Sequence, residues 1–98
     1  MSAFITRVEL LNASEKDYEK LHAAMKSLLF FSTIQDITTG IYYQLPTYTY
    51  YSRSEEEVAF VLRLAKTAAK KTRKKYSIIT VKSDGINFTG LDPVSEIE

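Results

Sequence analysis

The chain has no cysteine, no tryptophan, one histidine, two prolines and three glycines among its 98 residues. Without cysteine there is no disulfide framework and no thiolate to serve as nucleophile or metal ligand, which suits a reducing compartment. A lone imidazole, His22, cannot build a metal site. No apolar run approaches the roughly 20 residues that span a bilayer. The opening residues, Met1-Ser2-Ala3-Phe4-Ile5-Thr6-Arg7, lack the basic-then-apolar layout of a secretory leader. A soluble cytoplasmic protein with no membrane contact is therefore expected. Charge of one sign is scarce too. The net charge is +1, whereas nucleic-acid binders usually carry a marked positive excess. No phosphate-cradling loop, nucleophile elbow or dinucleotide fingerprint occurs. The residues alone thus assign no catalytic group, no cofactor and no metal.

What is present is a globular composition, 45% hydrophobic and 26% charged, as expected of one ordered domain. Ala3 to Leu10 alternates with period two, setting Phe4, Thr6, Val8 and Leu10 on one face, which predicts a half-buried strand. Ser14 and Asp17, and later Ser54 and Glu57, each place an acid three residues after a serine. That spacing predicts a capping box at the start of a helix. In the first helix Tyr18, Leu21, Met25, Leu28 and Leu29 form the apolar stripe. The second is predicted from about residue 55 to 73, with Val58, Val61, Leu62, Ala65 and Ala69 facing inward. Strands are predicted over 30–37, 41–45, 47–51 and 76–82, with a short fifth piece at 86–89 and a break at Pro46.

Strand–helix–strand, twice over, predicts an α+β protein of the ferredoxin-like, split βαβ type (βαββαβ). Its antiparallel, four-stranded sheet carries both helices on one face, with Leu21, Met25, Val58, Leu62 and Ile79 in the core. Residues 1–98 form a single domain, and the tail 91–98 is expected to be loosely held. The opposite sheet face is left open, and a homodimer through residues 41–51 or the C-terminal end is expected.

Two residue groups carry candidate function. Lys70, Lys71, Arg73, Lys74 and Lys75, together with Arg7, are candidates to hold the phosphates of RNA. The same run also suits the negative end of a helix dipole, opposite Glu55, Glu56 and Glu57. Tyr42, Tyr43, Tyr48, Tyr50 and Tyr51 are candidates for a protein interface, where tyrosine is enriched, or for stacking bases on an open sheet. Asp36, Asp84 and Asp92 are acids outside the helices, and nothing in their spacing brings them together.

The phrases Phe-Ile-Thr-Arg-Val-Glu-Leu (4–10), Asn-Ala-Ser with Asp-Tyr-Glu-Lys-Leu-His (12–22), Tyr-Gln-Leu-Pro-Thr-Tyr-Thr-Tyr (43–50), Lys-Lys-Tyr-Ser-Ile (74–78) and Thr-Gly-Leu-Asp-Pro-Val (89–94) follow one another in order. In this the chain resembles short bacterial proteins related to the GhoS antitoxins. The resemblance implies a ferredoxin-like fold similar to the small CRISPR-adaptation nucleases. It also implies a toxin–antitoxin role, in which an endoribonuclease cleaves the messenger of a membrane toxin. Those nucleases keep an acid near the end of the first strand. This chain has Leu10-Leu11-Asn12 there, an amide in place of a metal-binding carboxylate. Two classes follow: a GhoS-like, RNA-interacting antitoxin or regulator, and a non-catalytic protein-interaction module of inhibitor or immunity type.

Overall fold

The computed structural model describes residues 1–94. Ser2–Leu10 form β1, and its alternation sorts side chains as expected: Phe4, Thr6, Val8 and Leu10 are buried, while Arg7 and Glu9 are exposed. β1 lies at the centre of an antiparallel sheet, between Thr49–Ser54 (β4) and Tyr76–Ser83 (β5). Thr6 is opposite Tyr50 on one side and Thr80 on the other. Glu15–Ser27 (α1) and Val58–Lys70 (α2) cover the same face of this sheet. Leu21, Ala24 and Met25 of α1 and Val61, Ala65, Ala68 and Ala69 of α2 share one core with Phe4, Val8, Leu10 and Tyr50. Three alanines on the inner face of α2 leave little between that helix and the sheet but methyl groups, so the two approach closely.

The sheet has three strands where four were expected. Thr33–Gln35 (β2) and Tyr42–Gln44 (β3) form a separate two-stranded sheet. Phe31 does reach β4: its N–H bonds the Tyr51 carbonyl (2.8 Å) and the Tyr51 N–H bonds its carbonyl (2.7 Å). The chain then leaves for a local partner. A turn at Asp36–Gly40, with Gly40 at φ 76°, folds β3 back onto β2. Closing so short a loop costs less entropy than a longer-range pairing, so the local hairpin takes these residues. The tail expected to be loose is described only to residue 94, and residues 95–98 lie outside the described part. Within the described part the Gln44 N–H donates to the Asp92 carbonyl and the Val94 N–H to that of Tyr42, both at 2.9 Å. Residues 86–89 form no strand.

The first capping box is present. The Ser14 N–H donates to the Asp17 carboxylate (2.9 Å), and the Asp17 N–H donates to the Ser14 hydroxyl (3.3 Å). The second is absent. Ser54 ends β4, pinned opposite Ser2, and its hydroxyl accepts the Glu56 N–H instead (3.0 Å). Helix α2 cannot begin until the chain has left the sheet, so it starts at Val58 behind Glu57, which makes no side-chain cap. Val58 is consequently 40% exposed rather than in the core. Ile79 is displaced from the core as well, at 63% exposed. It stands opposite Arg7, while Ile78, opposite Val8, points to the helices. Leu62 is half-buried, and only Leu21 and Met25 of the five expected core residues are fully enclosed.

Helix α1 ends on a left-handed residue. Leu29 has φ 66° and is 65% exposed, and the Phe30 N–H returns to the Met25 carbonyl (2.9 Å). This is the bonding pattern in which glycine is the usual occupant. Leu29 is therefore out of the apolar stripe, on strained backbone. Leu29→Gly is expected to stabilise the protein by about 0.5–1 kcal/mol, the left-handed penalty less the added freedom of the unfolded chain. Thermal melts should show a midpoint roughly 2–8 °C higher. An unchanged or lower midpoint would mean that the leucine side chain contributes packing that offsets the strain.

Candidate functional site

The five tyrosines between residues 42 and 51 do not form one platform. Tyr50 is in the core, 2% exposed, with its hydroxyl 3.4 Å from His22 Nδ1. Tyr48 has φ 62° and stacks on Tyr18, ring centroids 3.8 Å apart. The Tyr18 hydroxyl in turn accepts the Leu10 N–H (3.0 Å) and donates to the Leu10 carbonyl (3.2 Å), clamping the end of β1 to α1. Tyr43 packs on Phe88 at 5.2 Å, and Tyr42 lies beside it in β3. Tyr51 is the one that points to the uncovered sheet face, opposite Ile5. The strand break at Pro46 separates Tyr42 and Tyr43 in β3 from Tyr48 in the turn and Tyr50 and Tyr51 in β4.

That turn and α1 enclose a groove of about 670 Å³. Glu15, Glu19 and Lys26 stand along it, with Tyr18, His22, Ser32, Tyr48 and Tyr50 among its lining residues. A second concavity, of about 450 Å³, is lined by both Asp36 and Asp84. The fold therefore brings together two acids whose spacing gave no hint of it. The Asp36 carboxylate already accepts the Thr38 N–H (2.9 Å), and among the described residues no three of His, Cys, Asp and Glu are grouped as metal ligands. Asn12 has φ 52° in the turn after β1, a backbone region in which asparagine is several-fold enriched.

The basic run is placed differently. Lys70 ends α2, Lys71 caps it, and Arg73 takes φ 62° to turn the chain towards β5. Lys70, Lys71, Arg73 and Lys75 are exposed, with no ion pair among the described residues. Lys74 is tied to Asp17 of the capping box at 3.7 Å. Arg7 does not join this group. It lies within the uncovered sheet face, beside Glu9, Ser77 and Ile79.

Two cations that the sequence pattern did not single out extend the run. Arg63 and Lys66 precede Lys70 at helical spacing on the exposed side of α2, and no acid occurs from Val58 to Lys70. Arg63 also lies over the Phe60 ring, 5.5 Å from its centroid. From Arg63 to Lys71 this stripe is about 12 Å long at 1.5 Å per residue. Its signal was in the sequence as a period rather than as a block.

The chain matches no protein-family model and no curated protein. No helix among the described residues is long and apolar enough to cross a membrane.

Asp17 links α1 to this basic end. The Ser14 backbone N–H holds its carboxyl below the ordinary aspartate range against the opposing effect of desolvation, helped by the Ser14 hydroxyl and the charges of Lys74 and Lys20. A depressed folded-state pKa contributes stability that is present above the unfolded-state pKa and lost as pH falls through the folded one. Urea midpoints measured against pH should therefore decline on acidification through that window. Asp17→Asn should remove this part of the decline, and an identical pH profile would show that the cap does not depend on the charge.

Proposed function

We propose that this protein is a small RNA-binding regulator, similar in kind to the GhoS antitoxins, which holds RNA phosphates on the basic stripe of α2. The observation that carries the reading is the stripe itself: Arg63, Lys66, Lys70 and Lys71 lie exposed along a helix without an acid, continued by Arg73 and Lys75. Clustered cations of this kind bind polyanions by releasing counterions, without sequence readout. A net charge of +1 does not oppose this, because local potential rather than the total governs the encounter.

A ferredoxin-like fold is part of the same proposal. The order β4-β1-β5, with the Phe31 bridge on the far side of β4, supports it. β1 and β4 are then the inner strands, and the second strand is reduced to a single bridge because the β2–β3 hairpin has claimed the rest. RNA cleavage, where it accompanies binding, would rest on residues other than a carboxylate at position 12. It should therefore persist in chelator.

The second reading, a protein-interaction module, is favoured by a different observation. The uncovered sheet face exposes Ile79 and Val81, at 63% and 48%. One experiment separates the two. Binding of single-stranded RNA is measured against salt for the wild type and for a variant with Lys66, Lys70 and Lys71 changed to Gln. If the stripe holds RNA, the slope of log affinity on log salt flattens by roughly 0.7 for each phosphate that is no longer neutralised. Stability should change little, since surface substitutions usually stay within about 0.5 kcal/mol. An unchanged slope removes the stripe from the site, and no binding at low salt leaves the interaction module.

A further inference from the structure

The two helices cover one face of the β4-β1-β5 sheet and leave the other bare. On that face β1 presents Ile5, Arg7 and Glu9, and β5 presents Ile79 and Val81. At the Ala3–Ser83 end the face is bordered by residues 84–88 and the β2–β3 hairpin, but among the described residues the half carrying Arg7, Glu9, Ile79 and Val81 has nothing packed on it. Two exposed β-branched side chains in the middle of a strand, beside a half-buried isoleucine, mark a surface that gains by being covered.

The charges on the face say what covers it. Arg7 and Glu9 are two residues apart on the central strand, on the same side, both exposed and without an ion pair among the described residues. Arg53 of β4, also on this face, lies at the Ala3 end and donates to the Met1 carbonyl, and the cation and anion left on β1 are complementary to the same pair on a second copy. A twofold axis lying between two such sheets and crossing the strands makes β1 antiparallel to its copy. It then sets Arg7 against Glu9 of the second copy, and Glu9 against its Arg7. Isologous interfaces use each contact twice in this way. We infer that the bare sheet face binds a second copy of this chain, with reciprocal Arg7–Glu9 pairs astride the twofold axis and the apolar side chains of Ile5, Ile79 and Val81 to either side of them. This centres the dimer interface on β1 and β5, with Thr49 and Tyr51 of β4 at its edge, and takes Arg7 out of the set that would meet RNA.

Charge swapping tests it on the full chain. Light scattering across the micromolar range should show the wild type passing from monomer to dimer mass. Arg7→Glu alone, or Glu9→Arg alone, puts like charges face to face and should weaken association about tenfold or more. The double variant R7E/E9R recreates the pair in reverse and should restore association to near the wild-type value. Ile79→Ser should weaken it without a charge change. Each variant is exposed, so its melting midpoint should stay near that of the wild type. Ile79→Ser and Val81→Ser carry the test if a charge variant fails to fold. A monomer at high micromolar concentration overturns the inference, as does a dimer that none of these variants disturbs. Weakening by both single reversals without rescue in the double variant overturns the reciprocal pairing.

Discussion

Thr6 stands between Tyr50 and Thr80, and almost everything else in the molecule follows from that pairing. With Thr6 turned inward, its hydroxyl 3.1 Å from that of Thr80, the neighbours Phe4, Val8 and Leu10 must also face the helices. Ile5, Arg7 and Glu9 must face away. A slip of one residue would exchange the two sets, burying an arginine and a glutamate and exposing a phenylalanine, a valine and a leucine. Paired hydroxyls let a polar residue occupy the centre of the buried face without an unmet hydrogen bond. The neighbouring Ser52 hydroxyl, by contrast, is buried with no hydrogen-bond partner among the described residues. The register is thus held by apolar burial and tolerates one imperfect polar site.

The molecule separates two surfaces that the linear chain interleaves. Arg7 lies in the middle of the uncovered face, whereas Arg63, Lys66, Lys70 and Lys71 lie on the outer side of α2, across the sheet from it. Cations that read as one candidate group are therefore available for different tasks. One set suits a polyanion and the other a matched charge on a like surface. The capping box joins the basic end to the first helix through Asp17 and Lys74. One charge of the basic end is thus paired within the fold.

Much of the fold was legible in local pattern. The period of two in β1 named its buried residues correctly, and Ser14 with Asp17 placed the start of α1. Where the reading failed, a longer-range constraint overrode a local signal. Ser54 and Glu57 have capping-box spacing, but Ser54 is held in the sheet by pairing with Ser2. Ile78 and Ile79 are chemically identical, so only the register could decide which one is buried. The apolar run after α1 reads as a long strand, yet the turn at Gly40 gives most of it a nearer partner. The site was less legible. The tyrosine cluster is close in sequence and dispersed in space, while Asp36 and Asp84 are distant in sequence and line one cavity. The helical stripe through Arg63 and Lys66 was present as a period and obscured by the denser block after it.

The division of the sheet into a covered and a bare face depends on the β1–β5 register, and that register can be read directly. Cross-strand backbone nuclear Overhauser effects should connect Thr6 with Thr80 and Arg7 with Ile79, as directly opposed residues. Cross-peaks placing Thr6 opposite Ile79, or Arg7 opposite Thr80, would turn Ile79 towards the helices and contradict the account.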